Sequence, residues 1–177
     1  MSQELITKDI RLEELLCSIQ NGDRDALASL YREVSSSVYS FSLSILKNSY
    51  DAEDVLQDCF IRVFQSANQY HSTGKPMAWI MTIAKNLCLM RLRQQSKTET
   101  LPAEENLPIQ WSEETTAMDR IVLEQCMSQL SDQQRQIVVL HAVAGLKHRE
   151  IAQLLDMALP TVLSKYHRAI KKLRNTI

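Results

Sequence analysis

Along most of this chain apolar residues recur at the interval of a helix rather than that of a strand. Leu12, Leu15, Leu16 and Ile19 are spaced i, i+3, i+4, i+7 and predict a first helix, which Asn21-Gly22 stops with a left-handed residue. Leu27, Leu30, Tyr31, Val34, Val38, Phe41 and Ile45 keep one stripe over about five turns and end at Lys47-Asn48-Ser49. Asp51 is the expected cap of a third helix, with Glu53 and Asp54 at its positive dipole end. Val55, Cys59 and Val63, with Leu56, Phe60 and Phe64, make its inner face to about Ala67. From Asn68 to Pro76 the period breaks, and Trp79, Ile83, Leu87 and Met90 resume it as a fourth helix.

Residues 96–117 contain Pro102, Pro108, five Glu and several Thr without a sustained apolar period. A structureless connection of that length is unusual inside one compact unit, so the chain is expected to divide there, with a linker over 97–118 between domains 1–96 and 119–177. Met118, Val122, Cys126 and Leu130 predict a further helix, and Ser131-x-x-Gln134 is a capping box for another carrying Ile137, Leu140 and Ala144 and ended by Gly145. Glu150 to Leu155 is a short helix, Asp156 to Leu159 a tight connection, and Pro160 stands in the first turn of a last helix to about Arg174. Val162, Tyr166, Ala169 and Leu173 face inward there, leaving Thr161, Ser164, Lys165 and Arg168 outward.

Composition agrees with an all-α fold, because 3 Gly in 177 residues cannot supply the turns of a β-rich chain. No run approaches the ~18 apolar residues of a membrane span. Met1 to Arg11 lacks the basic start and apolar stretch of a signal peptide, so a cytoplasmic protein is expected. Cys17, Cys59, Cys88 and Cys126 each sit in an apolar stripe and none is in a CxxC or Cys/His cluster, which predicts buried reduced thiols.

The net charge of −1 conceals a pattern. Residues 1–60 carry −6, 61–96 carry +5, 97–120 carry −4, and 145–177 carry +5. Two basic blocks flanking an acidic bridge suit a chain that meets a polyanion in two places, although solvated helix faces would look the same. No catalytic group assembles: His71, His141, His148 and His167 lack metal-ligand spacing, and no phosphate-binding glycine loop occurs. No enzyme activity, metal or cofactor is therefore expected.

Three segments resemble one known family, the extracytoplasmic-function (ECF) sigma factors of bacterial RNA polymerase. Asp51-Ala-Glu-Asp-Val-Leu-Gln-Asp-Cys-Phe-Ile-Arg-Val-Phe64 resembles the family's acidic helix that docks on the polymerase's clamp helices. Trp79-Ile-Met-Thr-Ile-Ala-Lys-Asn-Leu-Cys-Leu-Met-Arg-Leu-Arg93 is similar to its helix at the melted promoter element. Gly145 to Leu155 with Thr161 to Ala169 is similar to its C-terminal helix-turn-helix. The C-terminal motif departs from the family: Lys147 replaces the usual Ser cap, Asp156 a turn Gly, Ala158 a Pro, Pro160 a Gly and Leu163 often a Lys, so its base readout cannot be copied. Met90 stands where many members have Asp.

The resemblance implies a promoter-specificity subunit whose partners are core RNA polymerase, promoter DNA and an anti-sigma factor. Asp51, Glu53, Asp54, Gln57 and Asp58 would meet polymerase. Asp51, Glu53 and Asp54 also have an ordinary role at a helix N-terminus, whereas Asp58 lies beyond the first turn. Tyr70, His71, Lys75, Trp79, Lys85, Asn86, Arg91 and Arg93 would meet unpaired bases and the melted strand's backbone, with the loop from Asn68 to Lys75 setting specificity. Trp79 could equally be core, and the cations could simply complement a helix C-terminus. In the duplex, Thr161, Ser164, Lys165 and Arg168 would reach base edges, and Lys147, Arg149, Lys171 and Lys172 phosphates. The acidic linker would thread toward the polymerase channel, or act as a solvated tether. The competing readings are a stand-alone helix-turn-helix regulator, which would bind duplex DNA specifically without polymerase, and a helical adaptor that binds no nucleic acid.

Overall fold

The computed structural model describes residues 2–96 and 127–175, with side chains from Thr7 onward. Every regular element in them is helical: α1 Ser2–Gln20, α2 Arg24–Leu46, α3 Ser49–Ser66, a 3-10 turn Ala67–Gln69, α4 Pro76–Gln95, α5 Asp132–Ala142, α6 His148–Leu155 and α7 Leu159–Arg174. The expected linker over 97–118, the start of the helix expected from Met118, and Cys126 lie outside the described residues.

The helix ends follow from local chemistry. Asp23 caps α2 by accepting the amides of Asp25 and Ala26 at 2.9 and 3.1 Å. Asn48, rather than the expected Asp51, caps α3 by accepting the Asp51 amide at 3.0 Å, because Lys47 ends α2 in the left-handed region at φ 56° and α3 starts earlier. The Ser131–Gln134 capping box forms as expected. Lys147 supplies no side-chain cap; instead Glu150 Oε2 accepts the Lys147 amide at 2.8 Å, which leaves α6 with the reverse half of a capping box. Proline stands in the first turn of both α4 and α7, so α4 begins three residues before Trp79.

Helix α2 is the hub. Leu12 and Leu16 of α1, Leu30, Val34, Val38 and Phe41 of α2, Val55, Cys59 and Val63 of α3, and Ile80, Ala84 and Cys88 of α4 are buried together. Full burial of one such aliphatic side chain contributes about 1.5–3 kcal/mol. Burial lifts the thiols of Cys59 and Cys88 to about 12 and about 11, which makes them inert at neutral pH. Cys17 departs from the expectation of burial: it is exposed on α1.

The apolar cluster continues into the C-terminal helices through Ile137, Leu140, Ile151 and Val162, so the two helical units share one core across α2 and α5. Polar contacts frame that seam. Ser37 Oγ donates to the Val143 carbonyl at 3.2 Å, Lys47 pairs with Asp132 at 2.9 Å, and Lys85 Nζ donates to the Leu154 carbonyl at 2.6 Å. Arg135 is buried because its guanidinium donates to the carbonyls of Met127 and Leu130, both at 3.2 Å.

Candidate nucleic-acid and polymerase interfaces

On α3 the acidic residues divide into two groups. Asp51 is half-buried and accepts Arg91 Nε at 2.9 Å and Gln95 Nε2 at 2.6 Å, while Asp54 accepts the other end of the Arg91 guanidinium. These bonds, first those to Asp51, push the Arg91 guanidinium still higher than its ordinary pKa. Glu53, Gln57 and Asp58 are exposed and follow one another along the outer face. Arg91, expected on the melted strand, is thus tied to two residues expected at polymerase.

The loop between α3 and α4 is shaped by α1. Gln20 Nε2 donates to the carbonyls of Ala67 and Tyr70 at 2.9 and 3.1 Å. About two turns earlier, Glu13 accepts the Gly74 amide at 2.9 Å and the hydroxyls of Tyr70 and Ser72. Gly74 sits at φ 70°, a conformation that glycine adopts at little cost. Tyr70 is buried against Trp79, with ring centroids 5.0 Å apart, so its ring props the loop rather than standing open as a stacking platform. Its hydroxyl is lifted to about 12, by burial first and then by the bond to Glu13, and stays a donor. His71, Ser72 and Lys75 are exposed. A cavity of about 210 Å³ between α1 and the loop is lined by Glu13, Cys17, Gln20, Tyr70, His71 and Ser72. Asn86 and Arg93 are exposed on α4, and Asn86 lines a second, open depression with Arg62, Ile83, Leu87 and Met90. Lys85 is turned to the Leu154 carbonyl.

Helices α6 and α7 meet through a tight turn in which Asp156 takes the left-handed conformation at φ 54° that a glycine would hold without strain. Val162 and Ala169 anchor α7. His141, His148 and Tyr166 pack together where α5, α6 and α7 meet, with ring centroids 4.3 to 4.9 Å apart. Burial, and then the neighbouring His141 and His167, lower the pKa of His148. On the outer face Thr161 and Arg168 are exposed and Ser164 and Lys165 are half-exposed, and Arg168 donates to Ser164 Oγ at 2.9 Å. Lys147, Arg149, Lys171 and Lys172 are exposed around this face, with Lys172 also reaching the Gln129 carbonyl at 3.3 Å.

Two family descriptions account for both halves of this architecture. Residues 30–98 match Sigma-70 region 2, and residues 120–173 match Sigma-70, region 4. Over 94% of its length the chain is 31% identical to the ECF RNA polymerase sigma factor SigK of Mycobacterium ulcerans, covering 93% of that protein. The chain belongs to the ECF sigma factors. It is also 25% identical to the ECF RNA polymerase sigma factor SigW of Bacillus subtilis, over 96% of this chain and 98% of that one. The fold is that of the sigma factor RpoE of Bartonella quintana, solved with the anti-sigma factor NepR, at a TM-score of 0.69 and 19% identity over 84% of this chain and 94% of that one. CnrH, solved with the cytosolic domain of CnrY, gives a TM-score of 0.63 at 19% identity over 93% and 96% of the two chains.

This sigma factor is a promoter-recognising subunit whose partners are core RNA polymerase and promoter DNA. Its family acts as regulatory subunits rather than as catalysts. Among the described residues no helix is long and apolar enough to cross a membrane, and no cluster of His, Cys, Asp and Glu could hold a metal ion. The residue pattern left three features of the sigma factor unseen: the grip of Glu13 and Gln20 on the loop, the pairing of Arg91 with α3, and the histidine–tyrosine cluster. The first had a faint signal, since Glu13, Cys17 and Gln20 form a polar file at helical spacing beside the Leu12–Leu16–Ile19 stripe.

Proposed function

We propose that this sigma factor divides promoter recognition between its two basic regions, with residues 1–96 serving polymerase and the melted element and 119–177 the upstream duplex, joined by the 97–118 linker. The observation that carries the reading is the exposed loop beside the 210 Å³ cavity, on the opposite unit from the exposed face of α7. Duplex DNA first meets Thr161, Ser164, Lys165 and Arg168, which project from the N-terminal half and middle of α7 as major-groove readers do. Lys147, Arg149, Lys171 and Lys172 flank them and neutralise phosphates. Capture of an unpaired base in the cavity offsets the few kcal/mol that unstacking costs, with His71 at the rim and Lys75, Asn86 and Arg93 along the strand. In this reading Tyr70 and Trp79 support the loop from beneath, while Lys85 and Arg91 act in the strand path only after leaving their present partners.

Polymerase meets the exposed strip Glu53, Gln57 and Asp58, and Asp51 and Asp54 set its edge through Arg91. Acidic complementarity to a basic groove speeds and orients docking more than it strengthens it. The sigma factor works in the cytoplasm, catalyses nothing itself and is held by an anti-sigma factor, a reading supported by the two solved relatives, each seen with a partner chain. The test of the polymerase strip is Asp58→Lys. It should weaken binding to core enzyme at least tenfold while stability stays within about 0.5 kcal/mol, as for an exposed substitution. Unchanged core affinity, measured by fluorescence titration, would overturn the assignment.

A further inference from the structure

Outside the promoter-facing groups, three donors of the loop between α3 and α4 converge on one side chain, Glu13 of α1. A carboxylate is an unexpected neighbour for a loop that meets nucleic acid, since its charge repels phosphates. Glu13 is not spent on a helix end: it lies in the middle of α1, and its donors come from residues 57 to 61 positions away. Oε1 takes the Tyr70 hydroxyl and the Gly74 amide, and Oε2 takes the Ser72 hydroxyl. Within the loop, the Tyr70 amide closes the 3-10 turn on the Ala67 carbonyl at 3.0 Å, and Thr73 hydrogen-bonds the Tyr70 side chain through its backbone and its own side chain. Gln20 fixes the start of the loop, and Glu13 fixes its tip and its return into α4. Both side chains, with Cys17 between them, also form the wall of the cavity whose far side is His71 and Ser72. A charged acceptor makes stronger bonds than an amide or hydroxyl would, which suits a group that must gather three donors at an exposed loop.

We propose that Glu13 is a positioning residue for melted-strand recognition, imposing from α1 the loop shape in which the cavity accepts an unpaired base. The proposal rests on the assignment of this loop to the melted element, and its test separates the two. The Glu13→Ala, Glu13→Gln, Ser72→Ala and His71→Ala variants of the full chain are each assembled with core polymerase. Initiation is then measured on a promoter library varied one position at a time in the melted element and in the upstream element, in duplex and premelted forms. Glu13→Ala should cut discrimination in the melted element about tenfold, on premelted templates too, while upstream discrimination and core affinity stay as they were. Glu13→Gln keeps an oxygen for the Gly74 amide and the Tyr70 hydroxyl, and Ser72 can reverse its role, so this variant should retain most of the discrimination. Amide exchange of Gly74 in the free protein should accelerate at least tenfold in Glu13→Ala and much less in Glu13→Gln. If Glu13→Ala does not fold, Ser72→Ala, which removes an exposed strut, must lower melted-element discrimination by a smaller factor. Intact discrimination in Glu13→Ala, or in Ser72→Ala where that variant stands in, would overturn the proposal if His71→Ala still lost it. If His71→Ala also kept full discrimination, the loop itself would be wrongly assigned and the proposal would fall with it.

Discussion

The two basic regions of this sigma factor carry the same formal charge, yet the structure uses them in opposite ways. On α4, Arg91 is committed to Asp51 and Asp54, and Lys85 to the Leu154 carbonyl across the seam between the units. On α7, Arg168 makes a bond to Ser164 one turn away, and Lys165 stands on the same outward face, while Val162 and Ala169 hold the helix from behind. In the first region Lys85 and Arg91 are part of how the protein is built, while Arg62, Lys75 and Arg93 stay exposed. On α7 the cations are presented outward. Positive charge counted along a chain therefore measures how strongly a region could attract a polyanion, and the partners already in place decide how much of it remains available.

The comparison breaks most visibly if the outward set is removed. Lys165→Ala or Arg168→Ala should cost about 1–3 kcal/mol of promoter discrimination, confined to the upstream element, with no change in folding stability. Competition binding by the polymerase holoenzyme against upstream-element variants reads this directly, and a loss that appears in the melted element instead would erase the distinction between the regions.

Removing Arg91 should act the other way round. Asp51 is half-buried and would keep the Gln95 amide as a donor, so Arg91→Ala should cost about 1–2 kcal/mol of stability, mostly through Asp51. The exposed pair to Asp54 adds little. Arg93→Ala, at an exposed position of the same helix, should leave stability within about 0.5 kcal/mol. Urea denaturation of the two variants side by side is the measurement; equal stabilities would show that Arg91 is as uncommitted as its neighbour.

Most of the helical frame can be read in the residue pattern, because each stripe that faces α2 is written at regular spacing and the starts of α2, α3, α4, α5 and α7 carry a cap or a proline. The exceptions are informative. Asn48 takes the cap expected of Asp51 because Lys47 adopts a left-handed conformation that its residue type does not advertise. Cys17 is spaced with Glu13 and Gln20 rather than with Leu12, Leu16 and Ile19, so it falls outside the buried stripe of α1. Candidate site residues were legible as types and positions. Their present engagements were not, since Arg91 and Asp51 are 40 positions apart and Glu13 and Gly74 are 61 apart, and spacing carries information only over neighbouring turns.

The smallest effect concerns the packing behind α7. His148 has a lowered pKa in the folded chain, so the unfolded chain takes up that proton more readily. Stability from this group is complete above its ordinary value of 6.5 and declines as the pH falls below it. Asp9, whose pKa is raised by burial and then by Glu150, works with the opposite sign nearer its ordinary value of 3.8. Circular dichroism melts at pH 7.5 and 5.5 should therefore show a modest loss in the native chain that His148→Asn reduces. An identical pH dependence in that variant would assign the loss to other groups.

The hold of α1 on the loop has a consequence for anyone who would re-engineer promoter choice by exchanging segments between related proteins. The residues that would be cut and pasted, 70 to 75, take the Tyr70–Thr73 contacts with them, but the bonds that tie the loop to α1 end on Glu13 and Gln20, which any short graft leaves behind. A loop transferred alone would arrive as letters without their spelling rules. The smallest transplantable module is the loop together with the outer file of α1, two pieces of chain that a sequence editor would never select as one.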